Sequence, residues 1–317
     1  MVMTAGVRKK LQALVGSPIA WDCPLREYTS FHIGGPAAAL ITVQDLEELQ
    51  SLLQFFIADH IKWHIIGRGT NLLVSDAGFD GVILLLGKEF TTFSRISAGE
   101  NGGHIVQAGA GCSLTRLVNW SLEQRLSGLE FLTGIPGSIG GAVVMNAGAW
   151  GRDLSDVLVA VTFITSAGQV CTVPRAQLAF GYRIWHDLHD YELSIAAAGA
   201  EKVVINVSLQ LQEADPAQMR TLCQAYRDKR QMTQPKGGPN AGSFFKNPPG
   251  DAAGRLIEAS GLKGLTIGGA MVSVAHANFL VNIGGATAAD VLELMETVQL
   301  RVREDSGILL EPEVHFL

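Results

Sequence analysis

Ser243 lies in Asn240-Ala-Gly-Ser-Phe-Phe-Lys-Asn-Pro248, directly after a glycine that lets its hydroxyl be presented in a tight approach. A serine hydroxyl is a very weak acid. It gives up a proton only to something far more basic, such as a carbanion or enolate, or through a relaying neighbour. GxSxG is absent from the chain, which excludes the nucleophile of an α/β-hydrolase. Lys246 and Asn247 add a cation and an amide. The plain alternative is a polar loop with two buried phenylalanines. Arg183, in Phe180-Gly-Tyr-Arg-Ile184, carries a planar fork suited to a carboxylate or phosphate. An ordinary surface arginine is the alternative there. Glu311 and Glu313 fall on one face of an extended segment. Close carboxylates hold a shared proton or stabilise positive charge, and a solvated strand edge is the other reading. His186-Asp-Leu-His189 has metal-like spacing without further convincing ligands, so no metal site is expected.

Two glycine loops could bind what such groups act upon. Gly67-Arg-Gly-Thr-Asn-Leu-Leu-Val-Ser-Asp-Ala-Gly-Phe-Asp-Gly81 lies between the apolar runs 63–66 and 82–86. Gly134-Ile-Pro-Gly-Ser-Ile-Gly-Gly-Ala142 is the second. Glycines let backbone N–H groups approach a pyrophosphate with no Cβ in the way. Together the loops point to a large phosphorylated cofactor. The loop at 67–71 is not GxGxxG, since Arg68, Thr70 and Asn71 break the pattern and no βαβ unit with a later acidic residue is evident, so a nicotinamide Rossmann domain is disfavoured. Ile-Gly-Gly recurs at 33, 139, 267 and 283 with irregular spacing and defines no repeat.

The elements that must position these residues alternate between helix and strand. Thr42 is read as the cap of a helix with Leu46, Leu49, Leu53 and Phe56 on one face. Ser113 is read as the cap of a second helix with Leu114, Leu117, Val118 and Leu122 on its face and Gly128 just beyond its end. Residues 157–173 read as strands around a turn at Ala167-Gly168, and 203–211 as a strand with one wet face. Asp215-Pro216 starts a helix with Met219, Leu222, Cys223 and Tyr226 inward. A domain boundary is placed near 212. Beyond it come a short helix capped by Asp251, a strand over 278–283, a long helix from Thr287 to Gly307 and an extended tail.

The bulk properties bound the answer. The chain has 317 residues, of which 47% are hydrophobic, enough for a sizeable core without disulfides. A net charge of −6 argues against nucleic acid as a partner. No apolar stretch reaches the roughly 18 residues of a membrane span. The segment before Trp21 is a poor secretory signal. Cys23, Cys112, Cys171 and Cys223 form no CxxC pair and read as buried small hydrophobes in a reducing compartment. A cytoplasmic protein is expected.

Taken together, the chain resembles the UDP-N-acetylenolpyruvoylglucosamine reductases of bacterial cell-wall synthesis. The matching pieces are Ser30-Phe-His-Ile-Gly-Gly35, Gly67–Gly81, Gly134–Gly148, Gly181-Tyr-Arg183, Ala241–Pro248 and Glu311-Pro-Glu-Val314, in family order. The resemblance implies an α+β fold: a two-lobed FAD-binding region, like that of vanillyl-alcohol oxidase, plus a C-terminal α+β substrate-binding domain. It divides the chain into an N-terminal extension (1–26), FAD-binding lobes (27–88 and 89–212), a substrate-binding domain (213–309) and a C-terminal strand returning to the active site (310–317). It implies noncovalent FAD, NADPH as co-substrate, and a UDP-sugar whose enolpyruvyl ether receives hydride from the flavin. It makes Ser243 the proton donor, with Arg183 and Glu313 stabilising the enolate. The implied FAD contacts are Gly67, Arg68, Gly69, Thr70, Asn71, Leu72, Gly134, Pro136, Gly137, Ser138, Gly141, Asn146 and Ala147. Asn247, Lys246 and Arg230 are the candidates for contacting the sugar nucleotide. A monomer is favoured. The chain departs from the family at Trp185, where serine is common and a bulky indole would reshape the wall beside Arg183. It departs again in the alanine-rich stretch 186–202. An alternative on the same fold is an FAD-dependent oxidase or dehydrogenase of a small alcohol. A non-catalytic protein that keeps the sugar-nucleotide cleft is a third reading.

Overall fold

The structure is a computed structural model and describes residues 3–98, 103–186 and 202–317. It divides into two compact units that do not follow the five sequence segments. One comprises Met1–Trp21, Ala38–Gly67 and Asp80–Arg227; the other comprises Asp22–Ala37, Arg68–Phe79 and Asp228–Leu317.

The first unit is built on two sheets. Four strands run in the order Ile19–Pro24, Pro36–Val43, Phe79–Leu86, Trp63–Ile65, the last two parallel. The helix Leu46–Ala58 lays Leu49, Leu52, Leu53 and Phe56 on this sheet's core. Its cap is Asp45, whose carboxylate accepts the Glu48 N–H at 2.9 Å. Thr42 stays in the strand, because the apolar run around it continues to Val43. The helix Ala5–Leu14 buries Leu11 completely in the same core, so residues 1–26 are not a mere extension.

The second sheet is antiparallel, in the order Val170–Pro174, Leu158–Thr165, Lys202–Glu213, His104–Gly109, Phe93–Ala98. Along Lys202–Glu213 the alternation holds: Val207, Leu209 and Leu211 are buried, while Asn206, Ser208 and Gln210 are half-buried. The helix Leu114–Glu123 packs on this core through Leu114, Leu117 and Val118. Gly128 does not end that helix. The chain leaves it through Arg125, at φ +58°, and first forms the short strand Leu126–Ser127. Cys23, Cys112 and Cys223 are buried, whereas Cys171 is only half-buried.

The helix Pro216–Thr233 begins where expected, with Asp215 accepting the Ala217 N–H. The border between units nevertheless falls at 227/228, not near 212. Met219 and Cys223 are buried, and the Thr133 hydroxyl donates to the Cys223 sulfur at 3.2 Å, tying the first turns to the first unit. Leu222 lies outside this stripe and is 42% exposed.

The second unit gathers a three-stranded antiparallel sheet (Thr266–Ile267, Ala270–Val272, Leu280–Asn282) and the helices Ala253–Ala259 and Ala288–Ser306. The long helix runs as expected from a Thr287–Asp290 capping box to Gly307 at φ +74°, burying Val291, Leu294, Val298 and Val302. Its first N–H groups are also taken from afar: the Asp76 carboxylate accepts from Ala288 at 2.8 Å and Ala289 at 3.0 Å. Such orphan donors are satisfied best by an anionic cap. The tail ends as the strand His315–Phe316, parallel to Leu72–Leu73. Among the described residues no helix is long and apolar enough to cross a membrane.

Candidate functional site

In the first unit Gly67, the first residue of one glycine loop, meets Ser138 of the other. A Cβ on Gly67 would stand 2.5 Å from the Ser138 Oγ, so only glycine admits this approach. Ser138 is buried and caps the short helix Ile139–Val144, accepting the Gly141 N–H at 3.4 Å. Gly140 sits so close to Ala110 that a Cβ there would meet its Cβ at 2.7 Å. Gly134, Pro136 and Gly141 stay exposed, and Gly137 is half-buried at φ +142°. The result is a close-set backbone cradle with small residues on both sides.

Asn146 and Ala147 follow as a turn rather than a wall. The Asn146 amide is buried and fully engaged, donating to the Gly181 carbonyl at 2.9 Å and accepting the Ser155 N–H at 3.0 Å. Its side chain therefore fixes the turn that carries Arg183. The backbone of Ala147 accepts from Leu154 at 3.0 Å.

Arg183 is no loose surface residue. Its side chain is 17% exposed, and its backbone sits at φ +57°. One guanidinium nitrogen donates to the Gly148 carbonyl at 2.8 Å; the other reaches Asp153 at 3.2 Å and the Asn146 carbonyl at 3.4 Å. The ring of Tyr182 lies beneath it at 4.9 Å. The cation is thus held in place before any anion arrives. Trp185, two residues on, points into the core. The indole is 2% exposed, stacks on Phe180 at 5.4 Å and belongs to the hydrophobic core. His189 and the atypical stretch 187–201 lie outside the described residues. Among the described residues no three His, Cys, Asp or Glu side chains cluster as metal ligands.

The remaining candidates belong to the second unit. Arg68 is exposed, Gly69 buried, and Thr70, Asn71 and Leu72 half-buried. Gly69 stands at φ +60°, with a Cβ position only 1.9 Å from the Tyr28 carbonyl. Ser30, quoted in the sequence match without a role, holds this loop. Its N–H donates to the Gly69 carbonyl at 3.0 Å, and its hydroxyl to the Asn240 carbonyl at 2.6 Å. Asn71 reaches the tail: its amide donates to the Glu313 carbonyl at 3.0 Å, and its own carbonyl accepts from His315.

Ser243 is half-buried, after Gly242 at φ +82°. The Phe244 that follows it links two neighbours: its N–H donates to the Asn278 carbonyl, and its carbonyl accepts the Glu313 N–H, both at 2.8 Å. Ser243 and Glu313 are thereby brought onto adjoining segments, which share the isolated bridge between Phe245 and Pro312. Lys246 also faces the tail, 3.6 Å from the Glu311 carboxylate, while Glu313 is half-buried and Glu311 exposed. The two glutamates therefore differ in surroundings. Asn247 is a helix cap: its carbonyl oxygen accepts the Ala253 N–H at 3.0 Å. Asp251, expected as that cap, instead accepts from Arg255 and the Ala252 N–H, which hold its carboxyl down at about 2. Arg230 is half-buried in the last turn of its helix.

Sequence reasoning missed Asn278 and a groove of about 780 Å³ lined by His32, Lys236, Gly237, Gly238, Met271, Val281, Gly284 and Gly285. Asn278 carried one signal, a polar residue opening an apolar run. The groove carried only its two Gly-Gly pairs.

Residues 234–317 match the family model of the UDP-N-acetylenolpyruvoylglucosamine reductase C-terminal domain, and residues 37–174 match an FAD binding domain. UDP-N-acetylenolpyruvoylglucosamine reductase 2 of Symbiobacterium thermophilum is 43% identical over 308 residues, 96% of this chain and 95% of that protein. The reductase of Bacillus subtilis is 39% identical over 303 residues, 96% of this chain and 95% of that protein. The crystal structure of the Thermus caldophilus UDP-N-acetylenolpyruvylglucosamine reductase superposes with a TM-score of 0.76 at 37% identity, covering 95% of this chain and 98% of that one. The α+β fold class read from the sequence agrees with this neighbour.

Proposed function

Since this chain belongs to the UDP-N-acetylenolpyruvoylglucosamine reductases, we propose that it reduces the enolpyruvyl ether of UDP-N-acetylglucosamine-enolpyruvate to UDP-N-acetylmuramate, with FAD as resident cofactor, NADPH as electron donor and Ser243 as proton donor. This is a step of peptidoglycan precursor synthesis. Relatives of the same name along nearly the whole chain leave no support for a small-alcohol oxidase.

The cradle fits a noncovalent dinucleotide. Gly67 and Ser138 approach without room for a Cβ, and the exposed glycines Gly134 and Gly141 put no side chain in the way of a phosphate. Arg68 to Leu72, Gly137 and Ala147 are assigned to the same cofactor, and Asn146 through its backbone alone. Bound FAD would supply two-electron hydride chemistry between NADPH and the terminal carbon of the enolpyruvyl ether. The chain's own residues supply charge and proton. Hydride addition leaves the electron pair of the former double bond as an enolate on the substrate's carboxylate side. Arg183, preset by Gly148 and Asp153, stabilises that charge with no reorganisation. Ser243 then delivers its proton to the carbon beside the carboxylate, where the electron pair lies, because an enolate is basic enough to take it. Glu313 stabilises the same intermediate. Lys246 and Arg230 are assigned to the sugar nucleotide, with the groove at His32 and Lys236 as its further room. Asn247 is committed to its helix cap and is the weaker contact.

The reading extends to a monomeric cytoplasmic enzyme with a UDP-sugar, not nucleic acid, as partner. FAD-binding lobes at 27–88 and 89–212, and a substrate region at 213–309 with the strand 310–317, describe residue roles rather than compact units. The observation that carries the proposal is the backbone of Phe244, bonded to Glu313 on one side and Asn278 on the other. Anaerobic stopped-flow of the two half-reactions tests it. Flavin reduction by NADPH should persist in Ser243→Ala while reoxidation by the enolpyruvyl sugar nucleotide collapses. Equal loss in both would overturn the role.

A further inference from the structure

The geometry points to Asn278 as the residue that positions the proton donor: a buried amide that clamps the backbone beyond Ser243 and acts on the reaction only through it. The inference rests on the assignment of Ser243 above.

Asn278 is 4% exposed and spends every polar group it has on this task. Its backbone carbonyl accepts the Phe244 N–H at 2.8 Å. Its side-chain oxygen accepts the Phe245 N–H at 2.9 Å, and its side-chain nitrogen donates to the Phe245 carbonyl at 2.8 Å. A two-way bond between one side chain and the backbone N–H and C=O of one residue copies the pairing of a β-ladder and fixes both distance and orientation. Its own N–H donates to Nδ1 of His276 at 3.2 Å, which locks the turn from which it projects.

These contacts matter because a serine hydroxyl cannot be aimed by a partner that holds its proton. The proton must stay free for the carbon, so aim has to come from the backbone. On one side Gly242 donates to the Asn240 side chain at 3.0 Å. On the other side Phe244 and Phe245 are fixed by Asn278, and both rings are fully buried. Asn278 binds both backbone groups of Phe245, two residues past Ser243. An error of about 1 Å in the placement of a reacting group can cost about 100-fold in rate.

The test uses flavin-loaded enzyme and four variants: Asn278→Ala, Asn278→Asp, Ser243→Ala and the double variant Ser243→Ala/Asn278→Ala. Rates are taken per bound flavin. Asn278→Ala should slow reoxidation by the enolpyruvyl sugar nucleotide about 10- to 100-fold, through kcat rather than KM, with reduction by NADPH unchanged. Asn278→Asp, which keeps the acceptor for the Phe245 N–H, should recover part of that loss. In the Ser243→Ala background Asn278→Ala should cost nothing further, a coupling that a merely structural residue would not produce. If Ser243→Ala reoxidises normally, the reading of Ser243 falls. If Ser243→Ala is crippled while Asn278→Ala is not, the positioning role alone falls. Additive losses, or failure of both Asn278 variants to fold, would assign Asn278 to stability and overturn the inference.

Discussion

Arg183 and Ser243 are held in place by opposite means. The guanidinium is pinned through its own side chain, by the Gly148 and Asn146 carbonyls and the Asp153 carboxylate. The hydroxyl is placed through its neighbours, by backbone bonds from Phe244 and Phe245 to Asn278 and Glu313. The difference follows from chemistry. A cation that only stabilises charge keeps its value when its donors are shared, because it never gives up a proton. A proton donor loses its function if a neighbour holds the proton. Fixing a charge therefore consumes side-chain bonds, while fixing an acid consumes backbone bonds.

Four experiments would break or sharpen this contrast. The largest effect is expected for Ser243→Ala, with the substrate half-reaction falling about 100- to 10,000-fold; single-turnover reoxidation measures it. Arg183→Lys keeps the charge but loses the fork and should slow the same step by about 100-fold. If lysine serves as well, preset geometry is not what the site uses. Asp153→Asn retains an acceptor without its charge. Its reoxidation rate should fall by less than the Arg183→Lys rate, because the Gly148 carbonyl still holds the fork.

The smallest effect concerns stability and involves His276. Burial, and then the Lys263 ammonium, push its imidazole below 6.5; Glu258, paired with Lys263, opposes this. A depressed base binds fewer protons folded than unfolded, so stability rises with pH between the lowered folded value and 6.5 and is level above it. Protonation also removes the Nδ1 acceptor used by Asn278. The urea midpoint of the wild type should therefore drop as pH falls through that interval, and His276→Gln should flatten the slope.

Local signals were legible where cause and effect lie within a few residues. The helix Ala288–Ser306 was readable from cap to cap because Thr287, the apolar stripe and Gly307 each act on the adjacent turn. The alternation in Lys202–Glu213 was readable because one face is buried along its length. Asp45 displaced Thr42 as a cap because strand propensity carried on through Val43. The residues proposed for the chemistry, Ser243, Arg183 and Glu313, stood out by motif, but the groups that hold them did not. Asp153, Asn146 and Asn278 act on partners distant in sequence, and no periodicity encodes that. The division into units was hidden for the same reason. Ser30 meets Asn240, and Asp76 meets Ala288, across more than 200 intervening positions.

One seam has a consequence for how the molecule is made. Ser75 donates its N–H to the Leu317 carbonyl, and Leu317 donates back to Leu73. Translation delivers Asp22–Ala37 and Arg68–Phe79 long before the stretch they pair with. On the ribosome the strand Leu72–Leu73 waits for its partner His315–Phe316 while the first unit has most of its chain at hand. The second unit then closes from both directions at once, and a chaperone would find its footing in that interval.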